Sequence, residues 1–148
     1  MEEKTTQLIR HLNMLFRVTL LSSILIGVFL PLLISGSIID TQLVNLESAA
    51  ILSLLGCIPL ALWLYHKKIV SETLPDDVEQ KVALICKWFT IRLGLVAFAF
   101  LFNVIVYALT KNESFLYCCG IAFMILLFLC RPNKVEITKL LESKQVDE

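Results

Sequence analysis

The side chains best suited to chemistry in this 148-residue chain are five cysteines, two histidines and one asparagine set in an apolar run. The cysteines, Cys57, Cys86, Cys118, Cys119 and Cys130, form no C-x-x-C pair and no Cys/His set with zinc-ligand spacing. Most fall inside apolar runs, where a thiol acts as a small polarizable packing group. A disulfide between the adjacent Cys118 and Cys119 would be strained, so redox chemistry has no support. His11 and His66 sit near basic ends of apolar segments; an enzyme acting on lipid through them is the weakest of three functional readings. No H-E-x-x-H, G-x-S-x-G or Gly-rich phosphate loop occurs. No Asp, Glu, Lys, Arg or His lies in the middle of an apolar span, so a proton relay lacks its essential group. The expectation is no catalytic residue, no metal and no cofactor.

Asn103 is the strongly polar side chain deep within a span, and helical spacing places Ala99, Asn103 and Tyr107 on one face. An amide exposed to hydrocarbon without a partner costs several kcal/mol, so Asn103 must face protein or water. Helix-to-helix hydrogen bonding is the favoured role, worth about 1 kcal/mol; orienting a ligand or lining a path is the alternative. Under the first, Asn103→Leu loosens the bundle.

Small residues mark faces where helices approach closely, because lipid offers little hydrophobic drive for helix association. Thr19, Ser23, Gly27 and Pro31 recur at every fourth position, as do Ala49, Ser53, Cys57 and Ala61. The simplest expectation is that these two stripes pack against each other. Ligand or helix-contact candidates are therefore Asn103, Tyr107, Thr19, Ser23, Gly27, Ser53 and Cys57. Arg17, Lys67, Lys68, Arg92 and Arg131 lie at the ends of apolar runs, where they could hold lipid head-group phosphates or simply snorkel.

The elements carrying these residues follow from hydropathy. Apolar residues make up 57% of the chain and charged ones 18%, the mean hydropathy is +0.80, and a soluble domain carries roughly 25% charge. Four membrane-length segments are expected, at about 18–39, 48–65, 93–109 and 115–130, with a linker at 66–92 and a tail at 131–148. Pro31 and Pro59 interrupt the first two as kinks. Ser35-Gly36-Ser37 has signal-cleavage spacing, but the preceding apolar run is longer than a usual signal core and reads as an anchor. Asp40 to Glu47 reads as a short acidic turn. Leu8, Leu12, Leu15 and Phe16 share one helical face ahead of the first span, and Val78, Val82, Ile85 and Phe89 do so ahead of the third, opposite polar positions that include Lys81. A further amphipathic helix is expected behind Asn133-x-x-Glu136. Asp76 and Glu79 stand at capping-box spacing and should start a helix. From Asp76 to Leu109 that helix would be roughly 50 Å long, so it should project from the bilayer or bend near Trp88 to Arg92.

Formal charge sums to zero, so nothing points to nucleic acid, yet its placement is sharply sorted. Of the 13 basic residues, Lys111 alone falls on one side of the four-span arrangement. Basic segments stay cytoplasmic, which puts both termini in the cytoplasm of a plasma or inner membrane. The expected architecture is an all-α membrane protein, a four-helix transmembrane bundle of two helical hairpins, with amphipathic segments lying on the cytoplasmic membrane surface. The expected role is a non-enzymatic accessory or assembly subunit that contacts membrane lipids and a membrane-protein partner or a second copy of itself. A small transporter or lipid-handling protein with a path near Asn103 is the alternative.

Overall fold

Long apolar stretches with few helix breakers leave the backbone one conformation that satisfies its own hydrogen bonds. The computed structural model, which describes residues 2–34, 40–71 and 77–142, accordingly contains helices and no strand among those residues. They are α1 (Glu2–Leu33), α2 (Asp40–Tyr65), α3 (Val78–Thr110), α4 (Glu113–Leu129) and α5 (Lys134–Glu142), with a π-helical turn at His66–Ser71 continuing α2. Three helical stretches, Thr5–Leu33, Asn45–Ile69 and Val78–Thr110, are long and apolar enough to cross a membrane. A fourth crossing exists only if α4 and α5, bent by 50° at Arg131-Pro132, count as one span.

Several boundaries differ from the sequence expectation. Asp40 to Glu47 is helix rather than turn; it contains no Gly or Pro, so nothing stops the apolar helix from extending backward. The end of the first expected span, including Ile38 and Ile39, lies outside the described residues, as does Asp76. The cap of α3 is Asp77, one position later than expected, whose carboxylate accepts from the Glu79 amide at 3.1 Å. Asn133 caps α5 as its spacing implied, accepting from the Val135 amide at 3.1 Å. Helix α3 then runs unbroken for 33 residues, about 50 Å.

The first of the two expected hairpins gives way to a hub, while α3 and α4, joined through Lys111-Asn112, stay packed as a pair. Helix α3 packs extensively against α1, α2 and α4, whereas α1 and α2 touch each other marginally at most. The order of contacts along α3 shows that α1 runs parallel to it and α2 antiparallel. Pro31, near the end of α1, meets Lys111 just past the end of α3, while Ala50, early in α2, meets Asn103, late in α3.

One end of the molecule is a head built from helix extensions. Leu8, Leu12 and Phe16 of α1, Ile85 and Phe89 of α3, and Ile137 and Leu141 of α5 are buried in a single core with Tyr65 and Ile69. This corrects the expectation of amphipathic segments lying on the membrane surface. A helix at the interface must give its apolar face to lipid, and these faces are consumed by one another. The buried stripe of the α3 lead-in is Lys81, Ile85, Phe89, Leu93 and Val96, so Lys81, expected on the polar side, is 5% exposed.

Candidate functional site

Asn103 sits where α2 crosses the last third of α3 and is wholly buried. Its Nδ2 donates to the Ala99 carbonyl at 2.8 Å within α3, and to Ser53 Oγ at 3.3 Å and the Ala50 carbonyl at 3.4 Å on α2. Ser53 Oγ in turn donates to the Ala50 carbonyl at 2.7 Å, which leaves its lone pair facing the amide. Both donor hydrogens of Asn103 are therefore occupied, one holding its own helix and one shared between two acceptors on the neighbour. Its Oδ1 is buried without a hydrogen-bond partner, which costs about 1–3 kcal/mol unless a donor reaches it.

The small-residue stripes both turn toward α3 rather than toward each other. A Cβ placed on Gly27 would lie 3.2 Å from Phe100 Cζ, so glycine is what lets α1 settle onto the Phe100 ring. Ser23 is buried, Thr19 half-buried, and the Thr19 carbonyl accepts from Ser22 Oγ at 2.9 Å. On α2 the inward positions are Ala50, Ser53, Cys57 and Ala61, whereas Ala49 is exposed. Tyr107 is half-buried beside Phe115 and Val106, on the helix face that it shares with Asn103.

At the end near Asn103 a polar lock ties α1 to α3 and α2 to α4. Lys111 takes a left-handed conformation (φ 53°) that ends α3, its amide donating to the Tyr107 carbonyl at 2.8 Å. Its ammonium donates to the Pro31 carbonyl in the last turn of α1, where helix-end charge is negative. Asn112 caps α4 by accepting from the Ser114 amide at 3.1 Å and donates to Glu47 of α2 at 2.9 Å. Sequence reasoning missed this lock; the signal available was Asn112, a preferred N-cap residue just ahead of the apolar run from Phe115.

The basic residues divide into two groups at the opposite end. Arg92 lies over the Tyr65 ring at 4.7 Å, and Lys67 over the Trp63 ring at 4.8 Å; Lys68 is half-buried. Arg17 and Arg131 instead line adjoining open cavities between α1 and the α4–α5 bend, together with Arg10 and Lys134, which the sequence reading had not selected. All five cysteines are free, and no cluster of metal-ligating side chains occurs among the described residues.

Comparison with family models, with curated proteins and with solved structures finds no match.

Proposed function

We propose that this chain is a multi-pass integral membrane protein with both termini cytoplasmic, acting as a non-enzymatic accessory or assembly subunit. The membrane reading is supported by three helices of spanning length and by their outward faces. Leu21, Leu25 and Phe29 of α1, Leu52 and Leu55 of α2, and Tyr117, Ile121 and Phe128 of α4 are all exposed, far more apolar surface than a water-soluble monomer presents. The orientation is supported by the basic head and by Lys111, the single basic residue at the other end among the described residues.

The observation that carries the subunit reading is the state of Asn103. Its amide hydrogens are spent on tying α2 to α3, and it is wholly buried rather than lining a path. What the small-residue faces do inside the bundle also relocates the docking surface: Ser23, Gly27 and Ser53 are used on α3, so a partner or second copy must meet the outward faces. Exposed Gly56 and Gly120, with nothing near their missing Cβ atoms, leave the backbone open to close approach there.

The experiment is purification in mild detergent or native nanodiscs followed by mass spectrometry of what accompanies the protein. A second protein at fixed stoichiometry, or a defined homo-oligomer, is expected. A monomer with bulk lipid alone sinks the reading. A small transporter or lipid-handling protein is the second reading, favoured by the buried acceptor Asn103 Oδ1 that still lacks a donor. A solute or lipid hydroxyl resolved beside it would decide for that reading.

A further inference from the structure

We propose that the cleft between α1 and the α4–α5 bend is a binding site for one anionic glycerophospholipid. The proposal rests on the membrane reading above and adds a ligand class to it.

Two open cavities of about 450 and 520 Å³ adjoin there, sharing Asn13 and Lys134 in their walls. Arg10 and Arg17 line the cleft from α1, and Arg131 and Lys134 from the bend, so four cationic residues of two separate elements share its walls. No Asp or Glu lines either cavity among the described residues; Glu136, in the first turn of α5, and Glu3, one turn before Thr6 on α1, are near in sequence and line neither. The start of α5, capped by Asn133, lies in the same wall and adds the positive end of a helix dipole. Cations gathered without counter-charge repel one another, and a phosphate relieves that repulsion while taking paired guanidinium hydrogen bonds.

What makes this a lipid site rather than a phosphate site is what lies beneath the cations. Leu21 follows Arg17 by one helical turn and Phe128 precedes Arg131 by one turn, both toward the apolar middle of the molecule. Leu21 is 65% exposed and Phe128 71% exposed, and each lines one of the two cavities. A molecule bearing a phosphate and an acyl chain meets cations at the mouth and apolar side chains directly below. Basic pockets between helices at the cytoplasmic face recognise anionic head groups by this geometry. Arg92 and Lys67, by contrast, are turned onto aromatic rings and are not part of the site.

The test uses the full-length protein in mild detergent, doped with equal amounts of phosphatidylglycerol and phosphatidylcholine of identical chains, and native mass spectrometry of the bound lipid. One phosphatidylglycerol should be retained in preference to phosphatidylcholine. Arg17→Gln and Arg131→Gln should each weaken that retention about fivefold, and together about 25-fold. Lys87→Gln, the same charge change on an exposed α3 residue outside both cavities, should leave it unchanged. If the arginine pair does not fold, Arg10→Gln with Lys134→Gln gives the same reading. Equal retention of the two lipids overturns the proposal, as do variants that bind like wild type, a Lys87→Gln loss equal to that of the arginines, or displacement by millimolar inorganic phosphate. Failure of the membrane reading would show separately, as release of the protein from membranes by alkaline carbonate.

Discussion

Removing the Asn103 amide and the Ser53 hydroxyl, singly and together, isolates the bond that joins α2 to α3. The contacts of 3.3 and 3.4 Å are long for N–H···O bonds, whereas the 2.8 Å contact to Ala99 stays within α3. Side-chain hydrogen bonds between membrane helices average about 0.6 kcal/mol by double-mutant cycle and reach about 1.7, so the coupling here should be about 0.5 kcal/mol. Asn103→Leu alone loses that tie but also removes the orphaned Oδ1, whose burial costs about 1–3 kcal/mol. The two effects oppose, and the variant should stay within about 1 kcal/mol of wild type rather than simply loosen the bundle. Asn103→Ala keeps neither the tie nor the volume and should cost about 2 kcal/mol or more. Thermal unfolding in detergent reads these as shifts of about 4 °C per kcal/mol for a chain of this size. A Leu variant destabilised by 12 °C would refute the reasoning, because it would mean that Oδ1 already has a donor. Strict additivity of Asn103→Leu and Ser53→Ala would refute the interhelical bond.

Four further outcomes follow from the packing. Gly27→Ala should be nearly silent because only the tip of the Phe100 ring, 3.2 Å from the new Cβ, must shift; Gly27→Leu should cost about 1–3 kcal/mol in the same melt by prying α1 off α3. Asn112→Ala removes a helix cap and the Glu47 bond together and should lower stability by about 1–2 kcal/mol, with Asn112→Asp restoring the cap but not the bond. Leu12→Ala, at a position with no exposure in the head, should cost about 2–5 kcal/mol; a negligible loss would mean the head core does not form. Lys111→Cys and Lys139→Cys should label with an impermeant maleimide from opposite sides of sealed vesicles, and labelling from one side would overturn the orientation.

Much of the element map was legible because backbone satisfaction in apolar sequence leaves few choices. The asparagine at 133 announced its cap, and Asn103 announced its burial, since neither an uncapped helix end nor a bare amide is tolerated cheaply. Partner choice was not legible. The stripe through Ser23 and Gly27 says that some helix comes close, but any flat neighbour satisfies it, and Phe100 on α3 proved to be that neighbour. The lead-in faces at Leu12 and Ile85 demand apolar cover, which lipid or protein can equally supply; only the fold decides. Lys81 escaped because its charge argues for exposure, whereas its place on the stripe with Ile85 and Phe89 turns it inward.

The hub arrangement bears on how the chain is made. Helices α1 and α2 are synthesised first, yet the surface that both require belongs to α3, and they offer each other almost nothing. From the end of the π-turn at Ser71 to the end of α3 at Thr110 is about 40 residues, roughly 2–8 s of translation. For that interval Ser23, Gly27 and Ser53 face the surroundings unmatched, and α1 is free to drift from α2. A chain interrupted before α3 is therefore an orphan for quality control rather than a half-built bundle, and the third helix to emerge is the one that commits the other two.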